Sequence, residues 1–316
     1  MATSHQPGPT ATRRKCVLVV NPAGGAGRAR QRWAAISGGV KSQLEPAFQV
    51  AEVLTTRASE AEDIALQAAA DGAAVVVAVG GDGTINEVAN GLVRAHLQQA
   101  ASQQPRPTPV LAVIPMGTGS DFVRTFGWTN SWQEAMARIV SGQSCALDVG
   151  KVTCCCPETG VPRQRYFVNM SSCGLGGLAA GMAGPYKRLG SYLGYTLATL
   201  HAFFKWKNRA VHLQLDGAER QSLQAVTIIS TANGKYTAGG IMFAPDADPS
   251  DGAFEVIVGR GYSILGFALI AGKLRKGTHL AERGMAVHKA KTVQIDCSSP
   301  TCAEGSEGQG WIGSIV

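Results

Sequence analysis

The run Val75 to Val79, followed by Gly80-Gly81-Asp82-Gly83-Thr84, constrains this chain more than any other stretch. It is short, apolar and β-branched at Val75, Val76, Val77 and Val79, the composition of a strand buried on both faces. Ile85, Val88, Ala89, Leu92 and Val93 then recur at helical spacing. Thr84 with Glu87 three residues on has the pattern of a capping box, so a helix is predicted to start there. Strand, glycine turn and helix start in succession let backbone amides approach a phosphate closely, and the helix dipole favours negative charge. An aspartate in that turn would repel a bare phosphate, so Asp82 points to a divalent cation between them. Taken alone, the stretch fits an ordinary strand-to-helix connection with a solvated Asp82 equally well.

Two further turns shift the balance. Cys16 to Val20 reads as a first strand, followed by Asn21-Pro22-Ala23-Gly24-Gly25-Ala26-Gly27 and by Trp33, Ile36, Val40 and Leu44 at helical spacing. Arg30 occupies the third glycine position of a G-x-G-x-x-G pattern, so a dinucleotide-binding Rossmann site matches poorly. The chain has no G-K-[ST], no H-R-D and no D-F-G, which excludes P-loop enzymes and protein kinases. A second strand ends at Thr55-Thr56, and a helix from Ser59 to Ala70 is stopped by Gly72. A fourth strand, Val110 to Ile114, leads into Pro115-Met116-Gly117-Thr118-Gly119-Ser120-Asp121-Phe122, again a glycine turn with an acid. Ser131 with Glu134 caps another helix, closed by Gly142. Alternating strands and helices give a parallel sheet, whose ligands sit outside the carboxyl ends of its strands. The turns around Gly25, Gly81 and Gly117 all fall there and can line one crevice.

From about Ala146 the texture changes. Ala146 to Thr153, Tyr166 to Met170, Ala210 to Leu215, Ala225 to Thr231, Phe254 to Val258 and Thr292 to Ile295 are short β runs separated by turn residues. They predict an antiparallel second domain, a β-sandwich. Two helices are inserted, Tyr186 to Phe204 and Ser263 to Lys276. The first is flanked by Lys187, Arg188, Lys205, Lys207 and Arg209, and reads either as a core helix or as an amphipathic helix facing lipid.

Composition sets the outer limits. A chain of 316 residues with 45% hydrophobic content supports one large or two medium cores. The formal charge of +7 suits an anionic partner, but no basic run is interleaved with aromatics, which argues against nucleic acid. No apolar run is long enough to span a membrane. Met1 to Lys15 lacks an apolar core and is no secretory signal; it reads as a disordered tail over residues 1–13 or as the stub of an organellar, mitochondrial-type leader. Eight cysteines without a signal argue for free thiols in a reducing, intracellular compartment, cytoplasmic or at a membrane periphery. The adjacent Cys154, Cys155 and Cys156 cannot readily share one tetrahedral metal.

At this point the motifs resemble a known family. Asn21-Pro22 with its glycines, Gly80 to Thr84, Gly117 to Phe122, and Leu147-Asp148-Val149-Gly150 occur in the order and spacing of the diacylglycerol kinase catalytic domain superfamily. That group includes sphingosine, ceramide and bacterial lipid kinases and is distantly similar to NAD kinases. The resemblance covers roughly Arg14 to Ile295, and the run Thr118 to Trp128 looks most like plant-type sphingoid long-chain base kinases. It implies an α/β nucleotide domain over 14–145, a β-sandwich lipid domain over 146–316, and ATP with Mg2+ in the cleft. By matching motifs, Asn21, Pro22, Gly24, Gly25, Thr56, Gly80, Gly81, Asp82, Gly83, Thr84, Glu87, Gly117 and Thr118 would surround ATP. Asp82, Asp121 and Asp148 would belong to the Mg2+ and water network, and Asp248 and Asp251 to a structural cation loop that turn chemistry also explains.

Two departures from the family stand out. Ser120 replaces a usual asparagine. The Asp-Gly-Glu expected near the C-terminus is replaced by Glu304-Gly305-Ser306-Glu307-Gly308-Gln309, and the apolar strand that normally follows is not expected before Val316. Either Glu304 or Glu307 supplies the catalytic base, with Glu307 the positional match, or activity is impaired. The expected activity is ATP- and Mg2+-dependent phosphorylation of a lipid hydroxyl, on a sphingoid base or a diacylglycerol-like lipid met at a membrane surface, with a homodimer left open. The alternatives are an NAD kinase-like or sugar kinase, and a nucleotide- or lipid-binding protein that has lost catalysis.

Overall fold

The computed structural model describes residues 13–102, 106–155, 161–189, 191–297 and 313–315. The first part of the chain alternates strand and helix. It runs β1 (Arg14–Val20), α1 (Ala29–Leu44), β2 (Phe48–Leu54), α2 (Glu60–Ala70) and β3 (Val75–Gly80). Then follow α3 (Asp82–Ala100), β4 (Val110–Pro115), α4 (Asp121–Thr125) and α5 (Trp132–Ser141). The four strands are parallel in the order β2-β1-β3-β4, and every residue of β3 is buried. Successive side chains leave opposite faces of the pleat. Cys16, Leu18 and Val20 accordingly pack with Trp33, Val40 and Leu44 of α1, and Val17 and Val19 join Ala65, Val88 and Leu92 of α2 and α3. Helices on both faces are what an all-apolar strand requires.

Not every predicted helix start survives. α3 begins at Asp82 with Gly81 as its N-cap and no side-chain cap bond, so the Thr84–Glu87 capping box does not form. Thr84 is buried and its hydroxyl oxygen accepts instead from Asn21 Nδ2 at 3.0 Å. α5 starts as expected, with Ser131 Oγ accepting from Glu134 N and Gly142 closing it at φ +68.

The second part is antiparallel. Its elements are β5 (Gly150–Cys155), β6 (Pro162–Phe167), β7 (Met170–Gly174), α6 (Leu175–Met182), α7 (Ser191–Lys205), β8 (Arg209–Leu215) and β9 (Gln221–Ala232). After the short hairpin β10 (Tyr236–Thr237) and β11 (Ile241–Met242) come β12 (Phe254–Arg260), α8 (Ile264–Lys276), β13 (Met285–Ala290), β14 (Val293–Cys297) and β15 (Gly313–Ile315). Nine of these strands form one sheet in the order β13-β12-β9-β8-β14-β15-β5-β6, with β7 also paired to β9. The sheet curls on itself: Phe167 of β6 meets Phe254 of β12 at 5.6 Å between ring centroids, although five strands lie between β6 and β12 in the order. One core fills the curl, as expected of the predicted sandwich.

Three differences from the sequence reading have clear causes. The run Tyr166 to Met170 is broken into β6 and β7, because Val168 N donates to Asn86 Oδ1 and Asn169 O accepts from Asn233 N and Gly234 N. The segment from Tyr186 starts as a 3-10 turn over Gly184–Leu189 before α7, and α6, masked in the sequence by Gly176 and Gly177, precedes both. A short terminal strand does exist: β15 pairs with β14 and β5, Ile315 opposite Val293 and Val152.

The two parts are tied by side chains of α3 and α4. Asn90 Nδ2 donates to Tyr166 O and its Oδ1 accepts from Tyr166 N, both at 2.9 Å. Thr125 Oγ1 accepts from Lys235 N at 3.0 Å.

α2 and α3 cross at Gly91, where a Cβ would lie 2.3 Å from Glu62 O and 2.8 Å from Ala65 Cβ. Gly91→Ala gains up to about 1 kcal/mol of helix propensity but forces a backbone apart, which costs about 1–3 kcal/mol. We expect a lower thermal midpoint for Gly91→Ala by circular dichroism; an unchanged or higher midpoint would contradict this packing.

Candidate active site

The glycine turns meet at the carboxyl ends of β1, β3 and β4. A Cβ on Gly117 would sit 2.5 Å from Gly81 Cα, and one on Gly81 would sit 3.1 Å from Gly117 Cα, so the two turns touch backbone to backbone and Gly117 has no room for a side chain. A Cβ on Gly80 would likewise lie 2.4 Å from Thr84 Oγ1. Asn21 locks the first turn to the second: its N–H donates to Val79 O, its Oδ1 accepts from Ala23 N, and its amide reaches Thr84. Pro22 is buried beneath, and Gly25 opens a 3-10 turn at φ +59.

Two cavities flank this contact. The smaller, about 240 Å³, is lined by Gly25, Arg28, Ala29, Arg32, Met116, Gly117 and Thr118. Two guanidinium groups one helical turn apart, beside the start of α1, give it the charge and donor geometry for phosphate. The larger, about 350 Å³, includes Asp82, Asn86, Asp121 and Asn169 in its lining. Leu175, Ala179, Ile228, Phe243, Phe267 and Leu274 line it elsewhere, with Tyr195 and Thr199 contributed by α7.

The acids of the larger cavity are held in place by main chain. Asp82 Oδ1 accepts from Phe122 N and Asp121 Oδ2 from Gly239 N, each at 2.8 Å. Asp121 is only 6% exposed, and its Oδ1 has no partner among the described residues. Burial, and secondarily the neighbouring Asp82 charge, push its pKa up to about 6. The Tyr195 phenol is raised by burial and then by Asp121 and Asp82. An orphaned carboxylate oxygen beside a second carboxylate fits a divalent cation. Among the described residues no three His, Cys, Asp or Glu side chains could hold one by themselves, so phosphate or water would complete its shell.

Other candidates lie apart from this pair. Asp148 accepts from Gly252 N at 2.7 Å and donates its own N–H to Pro249 O, so its carboxylate braces the acidic turn and does not line the cavity. In that turn Asp248 accepts from Ser250, and Asp251 accepts from Ala253 N and pairs with Lys289 at 2.5 Å. Asp148 thus has a structural task in this turn, apart from the Asp82 and Asp121 pair. Thr56 donates its hydroxyl to Glu60 Oε2 at the head of α2. Glu87 is half-buried on α3, and neither it nor Thr56 lines either of these two cavities. Glu304, Glu307 and Gln309 lie outside the described residues, as do residues 1–12. Sequence reasoning missed Arg28 and Arg32, whose i, i+4 spacing after a glycine turn was a usable signal. It also missed Asn169 and Tyr195, which nothing local distinguishes.

A parallel sheet with glycine turns at its carboxyl ends, joined to an antiparallel sheet across a cleft, defines the diacylglycerol kinase and NAD kinase-like class of folds. Residues 15–152 match the diacylglycerol kinase catalytic domain, and residues 169–311 match the YegS C-terminal NAD kinase beta sandwich-like domain. The chain belongs to the diacylglycerol kinase catalytic domain superfamily. It is 25% identical to a diacylglycerol kinase of Mycobacterium tuberculosis, over 90% of this chain and 85% of the relative. It is 28% identical to a diacylglycerol kinase of Bacillus subtilis, over 79% of this chain and 76% of that protein. A crystal structure of a diacylglycerol kinase from Bacillus anthracis str. Sterne shares the fold, with TM-score 0.66, 23% identity, and coverage of 97% of this chain and 94% of the other.

The raised pKa of Asp121 carries a stability consequence. Its neutral form is favoured by the fold, so that stability is fully present below the ordinary value of 3.8 and lost as pH rises through about 6. The loss is about 3 kcal/mol at most. Asp121→Asn, neutral at every pH, should therefore gain stability over the parent in EDTA as pH rises from 4 to 7. Urea unfolding at the two pH values measures this; a gap that does not widen would refute it.

Proposed function

We propose that this protein transfers the γ-phosphoryl group of ATP to the hydroxyl of a lipid, with a diacylglycerol-like acceptor favoured and a sphingoid base as the second candidate. The observation that carries the reading is the larger cavity, whose lining joins two neighbouring carboxylates, Asp82 and Asp121, to a wide apolar surface. A lipid alcohol pairs a polar head with apolar chains in the same way, whereas NAD or a sugar would leave the Leu175, Ile228, Phe243 and Phe267 lining unfilled. In this reading residues 14–145 hold the nucleotide and residues 146–316 the lipid. The glycine turns and the Arg28 and Arg32 guanidinium groups bind and orient phosphates, and Asp82 with Asp121 holds Mg2+. A cation held by these carboxylates would supply neutralisation of the charge developing on the transferring phosphoryl group. The neutral side chains of Asn169, Ser172 and Thr237 in the same lining hydrogen-bond the lipid headgroup, and the apolar lining excludes water.

The test is transfer of label from γ-labelled ATP to diacylglycerol, sphinganine, ceramide, NAD and a hexose, with Asp82→Asn in parallel. We expect label in a lipid, diacylglycerol first, and a loss of about a hundredfold or more in Asp82→Asn with its fold intact. Label in NAD alone would replace the lipid reading, and wild-type turnover by Asp82→Asn would remove Asp82 from the site.

Glu307 is our proposed base. Its extra methylene relative to aspartate displaces the carboxylate by about 1 Å, a misplacement that can cost about a hundredfold. Glu307→Asp combined with Gln309→Glu should raise turnover while leaving ATP affinity nearly unchanged; no gain in kcat would exclude Glu307 as the base.

A further inference from the structure

The two helices that wall the lipid cavity turn an unusual outer face to solvent. Phe204 on α7 is 81% exposed, and Leu265 and Leu269 on α8 are 69% and 75% exposed, the three most exposed large apolar side chains among the described residues. Singly such residues mean little, but the two helices that carry these three pack against each other. Phe203, next to Phe204, meets Phe267 of α8 at 5.3 Å between ring centroids, and Ile264, next to Leu265, packs on the same cluster. On α8 the exposed positions Leu265, Ala268, Leu269 and Gly272 fall at helical spacing and run into Lys276. The opposite face of that helix buries Ile270 and Leu274. α8 is thus apolar around most of its circumference and basic at its C-terminal end.

Charge follows the same outline. Neither α7 nor α8 contains an acidic residue. Lys205 and Lys207 follow Phe204, and Lys273, Arg275 and Lys276 follow Leu269. Of these, Lys273 pairs with Glu282. Exposed apolar side chains rimmed by cations on an acid-free pair of helices have the composition of an interfacial surface and not of a protein-protein rim.

We propose that the outer face of α7 and α8, with Phe204, Leu265 and Leu269 as its apolar contacts, docks this protein onto an anionic lipid bilayer. The proposal rests on the lipid-kinase reading of the cavity, because the same two helices line it from within through Tyr195, Thr199, Phe267 and Leu274. Docking on this face sets the cavity wall against the bilayer, so that a lipid passes between α7 and α8 without its chains crossing water. No described helix is long and apolar enough to cross a membrane, so the contact is made by side chains at the surface.

The experiment is co-sedimentation of the full chain with phosphatidylcholine vesicles, with and without phosphatidylglycerol, at low and high salt. The parent should pellet with the phosphatidylglycerol vesicles and be released by salt. Leu265→Glu/Leu269→Glu should bind at least about tenfold more weakly, because apolar burial is lost and charge is reversed. Phe204→Ser, which introduces no charge, should weaken binding in the same direction. All these side chains are solvent-exposed and none lines a cavity, so phosphorylation of short-chain diacylglycerol in detergent micelles should be unchanged. Variant binding equal to the parent's, or binding indifferent to phosphatidylglycerol, would overturn the proposal. So would a dimer in sedimentation velocity that the double variant dissolves without any parent binding to vesicles. Absence of parent activity in micelles would instead count against the kinase reading, while vesicle binding would still report on this face.

Discussion

The touching backbones of Gly81 and Gly117 set the distance between the turns that follow β3 and β4, and both cavities take their shape from it. On one side of the contact, Gly117 and Thr118 close a space against Arg28 and Arg32. On the other, Asp82, Gly119 and Asp121 head a space lined by the antiparallel part of the chain. A methyl group at Gly117 would wedge the turns apart and move Asp82 relative to Phe122 N, its hydrogen-bond donor. The glycines are therefore steric requirements first, and close approach to a phosphate is a consequence of the same bareness.

The carboxylate pair also depends on both halves of the molecule at once. Asp121 belongs to the first part but is fixed by Gly239 N from the hairpin region of the second. Asn86 and Asn90, one turn apart on α3, bond the main chain at Tyr166 and Val168. Buried side-chain amides that satisfy main-chain groups are costly to disturb, since each would leave an unpaired polar group worth about 1–3 kcal/mol. The relative placement of the parallel and antiparallel sheets is thus written into specific hydrogen bonds and not left to apolar contact alone.

Much of this was readable in advance. The valine run of β3, the glycine turns and the change of texture near residue 146 are local features, and they gave the fold. Thr84 was misread because its surroundings satisfy the capping-box pattern; a partner 63 residues away, Asn21, decides where its hydroxyl goes. The bracing role of Asp148 was hidden for the same kind of reason, since its acceptor role toward Gly252 spans 104 residues. α6 was hidden by Gly176, whose missing side chain leaves room for Ile228, a contact that helix propensity cannot register. The apolar side of the cavity was invisible because its lining comes from widely separated elements that only the closed sheet brings together.

The hydrogen bonds between Asn90 and Tyr166 have one more effect. β6 ends the strand order of the antiparallel sheet, and an end strand ordinarily offers bare N–H and C=O groups to any passing chain. Here the amide of Asn90 occupies both groups of Tyr166, imitating the neighbour strand that is missing. A helix from the other half of the molecule thereby seals this margin against strand addition, so growth of the sheet into a second chain is discouraged at the border nearest the cleft.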